Sequence, residues 1–420
     1  MSTVRDVFAP AAIFPLGFLF FYTIPYLHLV DYSDVIPVPG VRMASLAGLG
    51  LASYLVAVAL GRLVWSTSGL AWPQIDAERW RNPLVPPLLV VLSIASLGAL
   101  ALVLRAGDIV PLLAANKETA RFELATRVGY PLNAATRLPI PVAIACGLYL
   151  LLARRASSPS SVLVGCCLAA SIAAEALLAH RGLPLFILAP LLVCFHYLVR
   201  PIGPRLLAGS GALLIVGMGI ASSLRLATSP PQLAHLLSHS RLPPWMPAWC
   251  TAAVTVVAFG PLTFNLVLDR MPGSTPFQHG MALVNGAFGI LPGHQPVVGE
   301  FVSRTLLGQP EGSPGLPPTI LGGFYIDFGI AGIVGGMLLV GLLTQFLYWR
   351  TFARPSPWST FLYAYWYFNL FVALYGDFIA NDFIWALPLA VYCIEVAVRC
   401  TSRLRQWYPG PGDGRPAAAT

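Results

Sequence analysis

Apolar runs long enough to cross a bilayer recur along almost the whole chain, separated by short gaps that carry arginine. A spanning helix needs about 20 apolar residues. Such runs lie near 9–30, 42–61, 86–104, 139–153, 161–179, 183–199, 206–224, 318–347, 358–376 and 381–399, and one more lies near 249–268. The pattern predicts an all-α fold, a polytopic transmembrane helical bundle of about ten or eleven spans, with residues 1–420 forming a single integral membrane domain. The first run, from about Pro10 to Val30, is long enough to span and is followed by no small-residue cleavage site. It reads as a retained span rather than a cleaved signal.

Charge decides how the run at 249–268 is read. With the N-terminus inside and ten spans, the inner loops carry Arg62, Arg79 and Arg81, then Arg154 and Arg155, Arg200 and Arg205, and Arg350 and Arg354. The tail at 400–420, with Arg403 and Arg405 just beyond Arg399, falls inside as well. Every short inner loop is then basic, as the positive-inside rule requires. A crossing at 249–268 would turn Arg350, Arg354 and the tail outward. The segment is therefore expected not to span, but to be re-entrant or to lie on the membrane surface. Two large outer loops follow, at about 105–138 and 225–317.

Composition strengthens this picture. Hydrophobic residues make up 57% of the chain and charged residues 10%, with mean hydropathy +0.73. Soluble domains carry about 25% charged residues, so an ordinary soluble enzyme is excluded. Disorder is excluded too, because it needs low hydrophobicity and high charge. The net charge of +8 would point to nucleic acid in a soluble protein. Here the excess sits beside apolar runs, where it sets orientation, so the expected partner is the lipid bilayer and not nucleic acid. The seven cysteines lie mostly in or beside apolar runs, with no CxxC. They read as small buried hydrophobes. There is no GxxxxGK[ST] and no dinucleotide fingerprint, which argues against ATP-driven work by this chain alone. No cofactor is expected.

The candidate chemistry lies at the outer ends of the spans. Glu175 is flanked by apolar residues near the end of the fifth run, and an ionisable residue inside a span is a functional candidate by default. Arg181 follows in the short turn His180-Arg181-Gly182, and Arg225 closes the seventh run at the same level. Two guanidinium groups there suit a diphosphate, which arginine grips through paired hydrogen bonds. The alternative is a pair of interface arginines reaching lipid headgroups. In the first large outer loop the charges Lys117, Glu118, Arg121, Glu123 and Arg127 recur at helical spacing. Arg121 on such a helix either touches phosphate or sits on a solvated face with i,i+4 pairs.

The second large loop carries His235, His239, His279 and His294, together with Arg304. His235 and His239 could share one helix face, yet no third ligand has suitable spacing, so no metal site is expected. The run beginning Pro317-Pro318-Thr319 holds Tyr325 and Asp327, then Gly332-xxx-Gly336, which permits close helix contact. Asp327 is expected about two turns into this span. A carboxylate there can accept a proton or simply pin a neighbouring helix.

The stretch from Pro317 through Tyr325 and Asp327 to Gly332, with its Gly-rich continuation, resembles the late segment of Wzy-type O-antigen and exopolysaccharide repeat-unit polymerases. The upstream stretch Phe264-Asn265, Ser274 to Gly280 and Ile290-Leu291-Pro292 is similar to what precedes it in that family, and the turn at Arg181 fits the family's early arginine. Roughly residues 160–350 carry the likeness. The resemblance implies a GT-C-like bundle in the bacterial inner (cytoplasmic) membrane, with both termini cytoplasmic and the large loop periplasmic. It implies polymerisation of undecaprenyl-diphosphate-linked oligosaccharide repeats on the periplasmic face, the growing glycan being transferred to the incoming repeat. A chain-length regulator protein is a further implied partner. On this reading Arg181, Arg225, Arg304, Arg121 and Tyr325 bind substrate, and Asp327, Glu175 or His294 acts as base. Arg304 and Gly315 stand in the family's Arg-x10-Gly spacing, whereas Arg181 has no such glycine.

Two rivals remain. A GT-C transferase or O-antigen-ligase-like enzyme using a polyprenyl-linked sugar could use the acidic pair Asp31 and Asp34 after the first span. A lipid-linked glycan flippase or transporter would spread polar residues through the middles of several spans, whereas here they gather at the outer ends.

Overall fold

A computed structural model describes residues 6–407, apart from 68, 74, 76, 115–119, 121–122, 125–126, 154–158, 179–182, 228–233, 235–236, 244, 288–297, 311–314 and 377–382. At 130–132, 183–184, 214–215, 218, 221, 224–227, 286–287, 383 and 402–407 it describes the backbone alone. Among the described residues the regular structure is helical, with no strand beyond one isolated bridge between Val30 and Ser240.

The helices are α1 (Ile13–Thr23), α2 (Val41–Val64), α3 (Val85–Gly107), α4 (Tyr130–Ala135), α5 (Pro139–Leu152), α6 (Pro159–Leu177) and α7 (Leu183–Leu198). They continue with α8 (Pro204–Ala227), α9 (Ala248–Arg270), α10 (Met281–Ala287), α11 (Val298–Phe301), α12 (Thr319–Ala353), α13 (Pro357–Tyr375) and α14 (Phe383–Trp407). Each apolar run read from the sequence lies on one of them. Seven of the described helical segments are long and apolar enough to cross a membrane, so this is a multi-pass membrane protein.

Four of the helices, α1, α2, α12 and α13, form one packed unit. A side chain at Gly50 would meet Ile333, one at Gly341 would meet Tyr54 and Ala57, and one at Gly61 would meet Gln345. Residue numbers rise together, so α2 and the long part of α12 run in the same direction. Glycine and alanine at these contacts bring the backbones close, as packing inside a bilayer requires. Tyr363 donates to the Phe8 carbonyl, the Phe14 N–H donates to the Tyr367 hydroxyl at 3.2 Å, and Gly17 abuts Phe371. Helices α1 and α13 are therefore also parallel. The ends of the unit can be named by their arginines, Arg42 at one and Arg350 at the other.

Helix α12 departs from the single span read in the sequence. Gly329 has φ 62° and ψ −142°, a conformation open to glycine and closed to side-chain-bearing residues. The chain turns back on itself there. A Cβ on Gly332 would lie 2.2 Å from the Phe324 carbonyl oxygen, and one on Gly336 would strike the Phe324 ring. The Gly332/Gly336 pair does make a close helix contact, but with the short limb of its own hairpin. That short limb, Thr319 to Phe328, climbs towards the Arg42 end. Asp327 thus stands beside the hairpin tip rather than two turns down a straight span.

Helix α9 covers the segment expected not to span. It is one continuous helix whose length and composition would allow a crossing. A side chain at Gly260 would meet the carbonyl of Tyr375, the last residue of α13, and the Leu268 carbonyl accepts from Arg42 near the start of α2 at 2.7 Å. Its second half therefore packs at the Arg42 end. The direction of the long limb adds a parity argument. If α3, α5, α6, α7 and α8 each cross, five crossings return the chain to the side from which α2 starts, so the long limb runs as α2 does, and a sixth crossing at α9 would reverse it.

Candidate functional site

At the Arg42 end, α2, α9, the α12 hairpin tip and the segment 271–287 converge. Tyr325 is the buried centre of this junction. Its hydroxyl accepts from Arg42 Nη2 at 2.7 Å and donates to the Met271 carbonyl at 3.3 Å. Its ring meets Phe264 and Phe277 edge-on, and Arg42 stands 6.0 Å above it. Asn265 donates to the Pro37 carbonyl at 2.7 Å and ties α9 to the approach to α2.

Arg42 is exposed and has no carboxylate partner among the described residues. A carbonyl at the C-terminal end of α9 and a phenol hold it, and both are neutral. The negative end of the α9 dipole favours the cation. Its remaining N–H donors stay available to an anion. The sequence reading did not single out Arg42, because one arginine at the start of an apolar run looks like an interface residue. The detectable signal was Arg42 opening a span on the side where Arg225 closes one.

Asp327 is fully buried. Its two oxygens accept from the backbone N–H groups of Ala282, at 3.0 Å, and Leu283, at 2.9 Å. The Gln278 and His279 N–H groups donate to the Ile326 and Asp327 carbonyls. The carboxylate caps α10 and fastens residues 278–287 to the hairpin tip, which is the pinning alternative in concrete form. Glu175 lies fully buried near the end of α6, and neither of its oxygens makes a hydrogen bond. Arg137, half-buried before α5, is close enough to act on it electrostatically.

Arg304 pairs with Glu300 at 3.2 Å across a π-helical turn, Val302–Leu306, that continues α11. Gly315 packs on this same turn. A Cβ there would lie 3.1 Å from the Gly299 carbonyl carbon, and the Leu316 N–H donates to the Gly299 oxygen. Asp31, one of the acidic pair after the first span, is engaged by Arg241. Hydrogen bonds from Ser33 and from Arg241 hold its carboxyl well below the usual carboxylate range. His239 stacks on Tyr32 and bonds to the Asp31 carbonyl at 2.6 Å. These contacts join the segment after α1 to the loop before α9. Arg121, Arg181, His235 and His294 lie outside the described residues, as does the side chain of Arg225. No group of three metal-ligating side chains gathers among the described residues.

No family model, curated protein or solved structure matches this chain. The functional reading accordingly rests on the residues themselves.

A second constellation, at the Arg350 end, also escaped the sequence reading. The Asp6 carboxylate accepts from Tyr348 at 2.8 Å and Tyr197 at 2.9 Å, and His196 Nε2 lies at 3.1 Å. The Ile202 N–H donates to His196 Nδ1, which makes Nε2 the protonated nitrogen facing Asp6. Helices α7 and α12 are thereby stitched to the start of the chain. Every side-chain donor there is used within the protein, so this is a structural clasp.

Proposed function

We propose that the chain is a bacterial inner-membrane glycosyltransferase. It polymerises undecaprenyl-diphosphate-linked oligosaccharide repeats at the Arg42 end of the bundle, with that end facing the periplasm and both termini in the cytoplasm. One observation carries the reading. An exposed guanidinium without a carboxylate partner is fixed by Tyr325 and Leu268, at a junction built from the segments that resemble the polymerases. In support of the orientation, Arg350, Arg354 and Arg399 gather at the opposite end, as inner arginines should.

In the proposed reaction, a hydroxyl of the incoming repeat attacks the anomeric carbon of the growing glycan. The bond from that carbon to the lipid diphosphate breaks, and the hydroxyl proton passes to a base. Arg42 stabilises the departing diphosphate, joined by Arg181, Arg225 and Arg304. Electrostatic donors of this kind are worth about 10²–10³ in rate. Asp327 has both oxygens engaged and is assigned a positioning role. Glu175 has neither engaged and is the first base to test.

The test is deletion in the native host, with surface glycan and lipid-linked material separated on a gel. Single repeats accumulating without a polymer ladder is the expected result. A full ladder lacking one sugar, or a polymer never joined to its final acceptor, would replace the proposal with the transferase or ligase reading.

A further inference from the structure

At the Arg350 end a cavity of about 520 Å³ opens between the end of α12, the start of α13 and α14. Arg350, Arg354 and Arg399 line it, with Trp358, Tyr392 and Ser356. A smaller cavity of about 200 Å³ shares Ser356 and Arg399 and adds Arg79 and Glu395. Four arginines thus face one carboxylate, and Glu395 is already bonded to Arg399 at 2.7 Å. Arg399 Nε is buried and has no partner, and Arg350 and Arg354 have no carboxylate partner among the described residues. The N-terminus of α13, capped by Ser356, adds the positive end of a helix dipole.

The surroundings identify the source of the anion. Trp358 and Tyr392 pack with ring centroids 5.2 Å apart, and such rings favour the headgroup level of a bilayer. Along α14, Trp385, Leu389, Tyr392 and Val396 are exposed at helical spacing, and this apolar stripe leads directly to Arg399. An acyl chain lying on the stripe would deliver its phosphate to the arginines. We propose that this cavity binds the phosphate headgroup of an anionic phospholipid, at the end of the bundle opposite Arg42. The site stands apart from the proposed reaction and does not depend on it.

The test uses the full-length protein in mixed micelles of phosphatidylglycerol and phosphatidylcholine, with retained lipid read by native mass spectrometry. Wild type should retain phosphatidylglycerol in preference to phosphatidylcholine. Each arginine near the surface contributes roughly fivefold to anionic-lipid binding, so Arg350→Gln with Arg354→Gln should cut the preference by more than about tenfold. Arg354→Gln alone, at an exposed position, should give a partial loss in a protein that elutes as wild type. Equal retention of the two lipids by wild type, or an unchanged preference in the double variant, would overturn the proposal. So would thermal protection of wild type by inorganic phosphate without any lipid preference, because the site would then take a soluble anion.

Discussion

The two ends of the bundle treat charge in opposite ways. At the Arg42 end, several of the described charges serve architecture. Asp327 caps α10, Asp31 joins two loops through Arg241, and Arg304 is paired with Glu300, whereas Arg42 is held by neutral groups. At the Arg350 end the division is spatial. Asp6 is clasped by Tyr197, Tyr348 and His196, while Arg350 and Arg354 line an open cavity. Charge density therefore does not locate chemistry in this chain. Arg42, Arg350 and Arg354 share one property: none has a carboxylate partner among the described residues, whereas Arg304 and Arg399 are each paired with a glutamate.

Substitutions can break this comparison, and their effects on the fold should run in a definite order. The largest effect is expected from Gly332→Val, whose side chain would meet the Phe324 carbonyl where a Cβ has 2.2 Å. Overpacking against backbone should cost about 3 kcal/mol or more. Size-exclusion profiles should show little folded monomer, and a normal profile would mean that the α12 hairpin is wrong.

Next is Asp6→Ala, which strands two tyrosine hydroxyls and His196. The expected loss is about 3 kcal/mol, seen as a melting midpoint several degrees lower in detergent. An unchanged midpoint would remove the clasp from the account.

Asp327→Asn should cost about 1 kcal/mol, since the amide keeps one acceptor for the start of α10. Hydrogen exchange at the Ala282 and Leu283 amides should speed up by roughly fivefold, following the lost cap. Loss of polymer at unchanged exchange would instead make Asp327 the base. The smallest effect on the fold belongs to Glu175→Gln, within about 0.5 kcal/mol, because no hydrogen bond is lost. If Glu175 is the base, polymer falls by about 10²–10⁴ while melting stays as in wild type.

Much of this fold was legible in the sequence, because a bilayer demands long apolar runs and each run is a helix. The hairpin in α12 was not. Its two limbs form one continuous Gly-rich apolar stretch, and only the backbone angles of Gly329 divide it. The clasp was hidden for another reason: Asp6 meets partners 190 to 342 residues away, and nothing local marks any of them. At the candidate site, Tyr325 and Asp327 were singled out on type and position, and both stand at the hairpin junction. Arg42 was missed because the features that set it apart, a phenol and a carbonyl for partners, come from α12 and α9.

On the proposed function, the Arg42 end performs the chemistry and the Arg350 end does not. The direct measurement is the glycan ladder from deletion cells carrying Arg42→Ala or Arg354→Ala at equal membrane levels. Arg42→Ala should give single repeats and about a hundredfold less polymer, and Arg354→Ala a normal ladder. A full-length ladder from Arg42→Ala would contradict the proposed function.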